Sequence, residues 1–101
     1  MRQRRSFTPE FKLEAVRLVT EQGYSLAAAG RALDVGETAL RRWLAQYREE
    51  REGATPAARA LTPEQQRIQA LEAQVRRLER EKEILKKAAA FFAAESDRST
   101  K

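Results

Sequence analysis

At 101 residues, with 42% hydrophobic, 35% charged and only 7% aromatic side chains, the chain has material for one small domain plus an extension. That leaves too little apolar mass for a catalytic cleft between two lobes, and the lack of cysteine and histidine removes disulfides, the usual Cys/His zinc finger and a histidine general base. The net charge of +5 favours a polyanionic partner; 20 basic side chains are nearly matched by 15 acidic ones, but residues 1–48 hold nine basic against five acidic.

The chain opens with Arg2, Arg4 and Arg5. This cluster suits either a flexible arm against phosphates or a narrow minor groove, or an unremarkable disordered start. No apolar run follows it, and nowhere does the sequence approach the about 18 apolar residues of a membrane span. A soluble, intracellular protein with no membrane partner is expected.

Thr8-Pro9-Glu10 is a helix start: Thr8 as N-cap, Pro9 where its missing N–H costs nothing, and Glu10 beside the positive helix end. Phe11, Ala15, Leu18 and Val19 then follow helical spacing, and Gly23 supplies the stop. Ser25 caps a second helix, LAAAGRAL, and Asp34-Val35-Gly36 makes a turn into a third that runs from about Glu37 to Tyr47 or a little beyond. Its apolar face is Leu40, Trp43, Leu44 and Tyr47.

Residues 26–47 thus have the three requirements of a helix-turn-helix. Ala28, Ala29 and Gly30 are small where a second helix must cross. Asp34 tolerates the positive φ of the turn, and Val35, Leu40 and Trp43 anchor the following helix. With those inward, Glu37, Thr38, Ala39, Arg41 and Arg42 face out near the helix start, the end that enters the major groove. Arg42 or Arg41 has the chemistry for a bidentate contact to guanine, worth roughly 1–3 kcal/mol of discrimination, or for a phosphate contact; Thr38 suits a thymine methyl or a phosphate. The domain is assigned to residues 1–50.

Residues 51–63 lose the period and contain Gly53, Pro56 and Pro63, which reads as a linker. Thr62-Pro63-Glu64 repeats the earlier cap signature and starts a helix expected over 64–94, with 95–101 as a disordered tail. No strand is predicted, so the fold class is all-α: a three-helix helix-turn-helix domain, a linker and a long coiled-coil helix.

Setting heptad position a at Ile68 places Ile68, Val75, Lys82 and Ala89 at a and Leu71, Leu78, Leu85 and Phe92 at d. β-Branched a residues with Leu at d favour a parallel two-stranded coil, and the polar Lys82 fixes register at some cost in stability. The g-to-e′ pairs of a parallel dimer, Arg67–Glu72, Gln74–Glu79 and Glu81–Lys86, contain no repulsion. From Ala88 to Ala94 the stripe broadens, with Phe91 outside the seam, an exposed end for a further protomer or partner or the filling of a wider coil.

The segments RRSFTPEFKLEAVRLV, SLAAAGRALDVGETALRRWLAQY and LEREKEILKKAAAFFAAE together resemble OrfA, the short first-frame protein of bacterial insertion sequences of the IS-three type. The resemblance runs over residues 4–95. It implies recognition of the element's terminal inverted repeats in double-stranded DNA, multimerisation through the zipper, and help in assembling or regulating the transposition complex. It also implies a second-frame partner bearing the DDE catalytic domain, and a place in the bacterial cytoplasm on the nucleoid. By position the family's DNA-reading helix falls on Glu37–Leu44 and its zipper leucines on Leu71, Leu78 and Leu85. Gly36 stands where such proteins often carry a capping Ser, and Asp34 where the turn is usually Gly.

The carboxylates read as caps and ion-pair partners and not as the three metal-holding acids of strand transfer, so no metal, no cofactor and no catalysis by the chain alone are expected. Two other readings use the same features: a stand-alone dimeric transcriptional repressor, and a coiled-coil adaptor whose helical domain binds protein.

Overall fold

A computed structural model of the chain describes residues 5–99; Arg2 and Arg4, expected to contact DNA, lie outside that range. The described residues form four helices and no strand: α1 (Pro9–Thr20), α2 (Leu26–Leu33), α3 (Glu37–Arg51) and α4 (Pro63–Ser99). The chain divides into two compact units, residues 1–69 and 70–101.

In the first unit the local signals act as the sequence suggests. The Thr8 hydroxyl accepts the Phe11 N–H at 3.1 Å with Pro9 opening α1, and the Ser25 hydroxyl accepts the Ala28 N–H at 3.0 Å to open α2. Gly23 takes φ +77° just past α1. Asp34 ends α2 in the left-handed region at φ 55°, the one non-glycine residue with positive φ among those described. Gly30 explains why this crossing admits no larger side chain: a Cβ there would lie 2.8 Å from the Val35 carbonyl oxygen. Gly36, the N-cap of α3, makes no side-chain cap bond.

α1, α2 and α3 pack on one another in all three pairings. Ala15 and Val16 from α1, Ala29 from α2, and Leu40, Trp43 and Leu44 from α3 are buried together with Val35 of the turn. Phe11, Leu18, Val19 and Tyr47 are only half-buried against that cluster, while Leu13, outside the expected stripe, is buried.

The segment expected to be a linker behaves differently. Residues 52–62 are non-helical, as the lost period suggested, yet Ala60, Leu61 and Thr62 are buried and Leu61 joins the core of the three helices. The cause is Glu50, on the last turn of α3. Its carboxylate accepts the Leu61 N–H at 2.9 Å, the Thr62 N–H at 2.8 Å, the Thr62 hydroxyl at 2.9 Å and the Gln46 side-chain amide at 2.7 Å. Gln69 adds a second clasp, donating to the carbonyls of Pro56 and Ala58 and accepting the Ala60 N–H. Burial alone would push the Glu50 carboxyl up; the donors from Thr62, Gln46 and Leu61 outweigh it and hold the group below its ordinary value.

The second unit is the remainder of α4. The helix runs on to Ser99 instead of stopping near Ala94, because no Gly or Pro interrupts residues 64–99. An Arg98–Glu95 pair at 3.7 Å lies in its last turns. Leu71, Val75, Leu78, Ile84, Leu85, Phe91 and Phe92 are all exposed on it. No described helix is long and apolar enough to cross a membrane.

Candidate nucleic-acid interface

The orientation of α3 follows from its buried side. Leu40 is fully buried and Trp43 and Leu44 nearly so, which leaves Glu37, Thr38, Arg41 and Arg42 exposed and Ala39 half-buried at the rim. The five expected reading residues therefore occupy the first two turns of one helix, beginning at the turn of the helix-turn-helix. Their electrostatic states differ. Arg41 is paired with Glu37 at 3.0 Å, an i,i+4 contact along the helix surface. Arg42 has no ion-pair or hydrogen-bond partner among the described residues, so its guanidinium fork is open to a ligand.

Arg5 does not hang free. Its guanidinium donates to the Asp34 carbonyl and reaches the Asp34 carboxylate at 3.4 Å, tying the N-terminal segment to the helix-turn-helix turn. The tie is reinforced by rings. Phe7 stacks on Phe11 at 5.1 Å and meets Trp43 edge-on at 5.1 Å, and the Arg5 guanidinium lies 4.9 Å from the Phe7 ring centroid.

Lys12 was not among the expected contact residues. On α1 it lies with its ammonium 5.6 Å from the Trp43 ring, on the side of the domain that also carries Arg42. Nothing in sequence spacing links positions 12 and 42; only the packing of α1 on α3 does. The signal that bears on it is the aromatic content of positions 7, 11 and 43, which marks a surface where cations can be held over rings.

The expected seam residues all lie on α4. Ile68, Leu71, Val75, Leu78, Leu85 and Phe92 are exposed at 39–70% of their surface in the single chain, with Lys82 exposed and Ala89 beside them. No group of three or more His, Cys, Asp or Glu side chains suited to a metal ion occurs among the described residues.

A family model described as Transposase matches residues 1–82. The chain is 48% identical over 85 residues to the putative transposase InsN for insertion sequence element IS911A of Escherichia coli strain K12, which takes in 84% of this chain and 63% of that protein. It is 46% identical over 84 residues to the InsN counterpart for IS911B of the same organism, covering 83% of this chain and 96% of that protein. An uncharacterized 11 kDa protein of insertion element IS600 from Shigella sonnei is 33% identical over 100 residues, 99% of this chain and 98% of its own length. The chain thus spans less than two thirds of the first relative and nearly all of the other two. No solved structure matches it.

Proposed function

The chain belongs to the helix-turn-helix transposase family, and we propose that it is the DNA-binding, multimerising component of an insertion sequence, acting on the terminal inverted repeats of its element. In this reading α3 enters the major groove. Arg42, unpartnered and exposed, reads a guanine edge; Thr38 and Ala39 lie against neighbouring bases; and the Glu37–Arg41 pair lies beside them, with Arg41 turning to a phosphate. Arg2, Arg4 and Arg5 serve the duplex backbone as an arm whose base is fixed at Asp34.

Ile68, Leu71, Val75, Leu78, Lys82, Leu85, Ala89 and Phe92 form the seam of a parallel dimer that delivers two reading helices to one site. The dimer assists or regulates transposition together with a second-frame partner that supplies the DDE chemistry, and it works in the bacterial cytoplasm on nucleoid DNA. The domain assignment that goes with this is a DNA-binding unit, a connecting segment and a zipper.

The observation that carries the proposal is α3 itself. Its apolar side is consumed by the core, its opposite side offers open donors beside a left-handed turn, and the family match spans it. Footprinting on duplexes carrying the terminal repeats, with promoter and scrambled duplexes alongside, tests it. Protection is expected over the repeats, with affinity falling steeply between about 50 and about 200 mM salt as neutralised phosphates regain their counterions. Arg42→Ala should relax preference at one base pair, and Arg4→Ala should weaken all duplexes alike. Protection confined to the promoter would favour a repressor, and no duplex binding would leave a protein-binding adaptor.

A further inference from the structure

Adjoining the exposed side of α3, one surface concentrates positive charge on a built scaffold. A notch of about 460 Å³ is lined by Arg5, Ser6 and Phe7 of the N-terminal segment, Lys12 of α1, and Ala39, Arg42 and Trp43 of α3. It holds three cations and no carboxylate. Glu37 is paired with Arg41, and Asp34 pairs with Arg5 at the edge of the notch, which leaves Lys12 and Arg42 as its unpaired cations among the described residues. We propose that this notch seats one backbone phosphodiester of duplex DNA, held by Lys12, with Arg5 holding the N-terminal wall in place and Arg42 at the rim kept for its base contact. The proposal rests on the DNA-binding reading and extends it to α1.

Three physical points support it. First, Lys12 is held. A lysine in water samples many rotamers, whereas the Lys12 ammonium lies 5.6 Å from the Trp43 ring, and that ring is fixed by Phe7 and by Phe11 at 6.3 Å. Part of the ordering entropy of a phosphate contact is therefore spent before the ligand arrives. Second, the aromatic wall excludes water from one side of the notch, and the Ser6 hydroxyl is available there as a donor. Third, Ala39 and Arg42 belong to both surfaces, so a phosphate in the notch lies on the same duplex that α3 would read.

A phosphodiester fits better than a small free anion. The notch is open, and a lone anion would be held by solvated cations alone. Each phosphate of a polyanion additionally releases condensed counterions when neutralised. Lys12 would then be a positioning contact, setting the angle at which α3 meets the groove without reading a base.

The test uses the full chain, a terminal-repeat duplex and a scrambled duplex of equal length, with anisotropy titrations across a salt series. Lys12→Gln keeps much of the stem over Trp43 and removes the charge; Lys12→Arg keeps both. Lys12→Gln is expected to bind both duplexes about fivefold to tenfold more weakly at 0.1 M salt. Its slope of log affinity against log salt should be shallower by about 1, and the ratio of the two affinities unchanged. Lys12→Arg should retain the wild-type slope. An unchanged slope for Lys12→Gln, with the wild type binding normally, overturns the seat while leaving the DNA-binding reading intact. A shift in the affinity ratio without a change of slope overturns it too, by making Lys12 a base contact. If the wild-type chain binds neither duplex, the seat and the DNA-binding reading fall together.

Discussion

Residues 5–69 and residues 70–99 carry similar apolar periodicity, but they use it in opposite ways. In the first unit Ala15, Val16, Ala29, Leu40, Trp43, Leu44 and Leu61 bury one another. In the second, Leu71, Val75, Leu78, Ile84, Leu85, Phe91 and Phe92 remain exposed. The period alone does not distinguish the two cases. What does is the company of each stripe: short helices broken by Gly23, Asp34 and Gly36 can fold back on themselves, whereas an unbroken charged helix cannot cover its own seam. The first unit is thus organised by its own core, and the second leaves its stripe uncovered, the property on which the proposed pairing rests.

The sharpest way to break that contrast is to remove a buried leucine. Leu40 is fully buried, and Leu40→Ala should cost about 2–5 kcal/mol through lost burial and the cavity left behind. Urea unfolding followed by Trp43 fluorescence measures it, and the loss should be independent of protein concentration. Leu78→Pro strikes the other unit. It removes a helix hydrogen bond at about 3 kcal/mol or more, which should abolish the proposed pairing in sedimentation experiments while leaving the Trp43 signal of the first unit in place. A Leu78→Pro chain that sediments as wild type would show that the seam lies elsewhere.

A smaller effect tests the connecting segment of the first unit. Glu50 ties Leu61 and Thr62 to α3, and Glu50→Gln replaces one accepting oxygen by an amide donor facing other donors. A cost of about 1–3 kcal/mol is expected, with faster hydrogen exchange at Leu61 and Thr62. The sign of the pH dependence follows from the lowered carboxyl. The stability that Glu50 contributes is fully present above its ordinary value of 4.5 and is lost as pH falls from there through the folded-state value. Wild-type stability should therefore decline on acidification below about pH 4.5, and the decline should be shallower in Glu50→Gln.

The same residue shows where sequence reading stops. Caps, turns and helix positions were legible because each rests on a few adjacent residues: Thr8 with Pro9, Ser25, and Asp34 at positive φ. The exposed row on α3 was legible once Leu40 and Trp43 were assigned inward. Glu50, in a run of charged residues, looked like one more solvated acid; its partners lie 11 and 12 positions away in a segment without period. Lys12 was hidden likewise, since its neighbours Trp43 and Arg42 come from another helix. Helix ends are local facts, whereas a buried acid and a cation over a ring are tertiary ones.

The gentlest perturbation concerns the start of α3. Gly36 is its N-cap, with φ −63° and ψ 138°, backbone values that any residue adopts, and a Cβ there would meet nothing within 4 Å. Gly36→Ser therefore introduces an acceptor for an unpaired first-turn N–H without strain, as Ser25 already does for α2. The expected gain is a few tenths of a kcal/mol, seen as a rise of about 1–3 °C in the transition of the first unit. Melting of a dimeric seam depends on protein concentration, whereas this transition should not. A Gly36→Ser rise confined to the concentration-independent transition would show that the two units melt separately. A rise shared by both transitions would mean that α3 and the seam unfold as one.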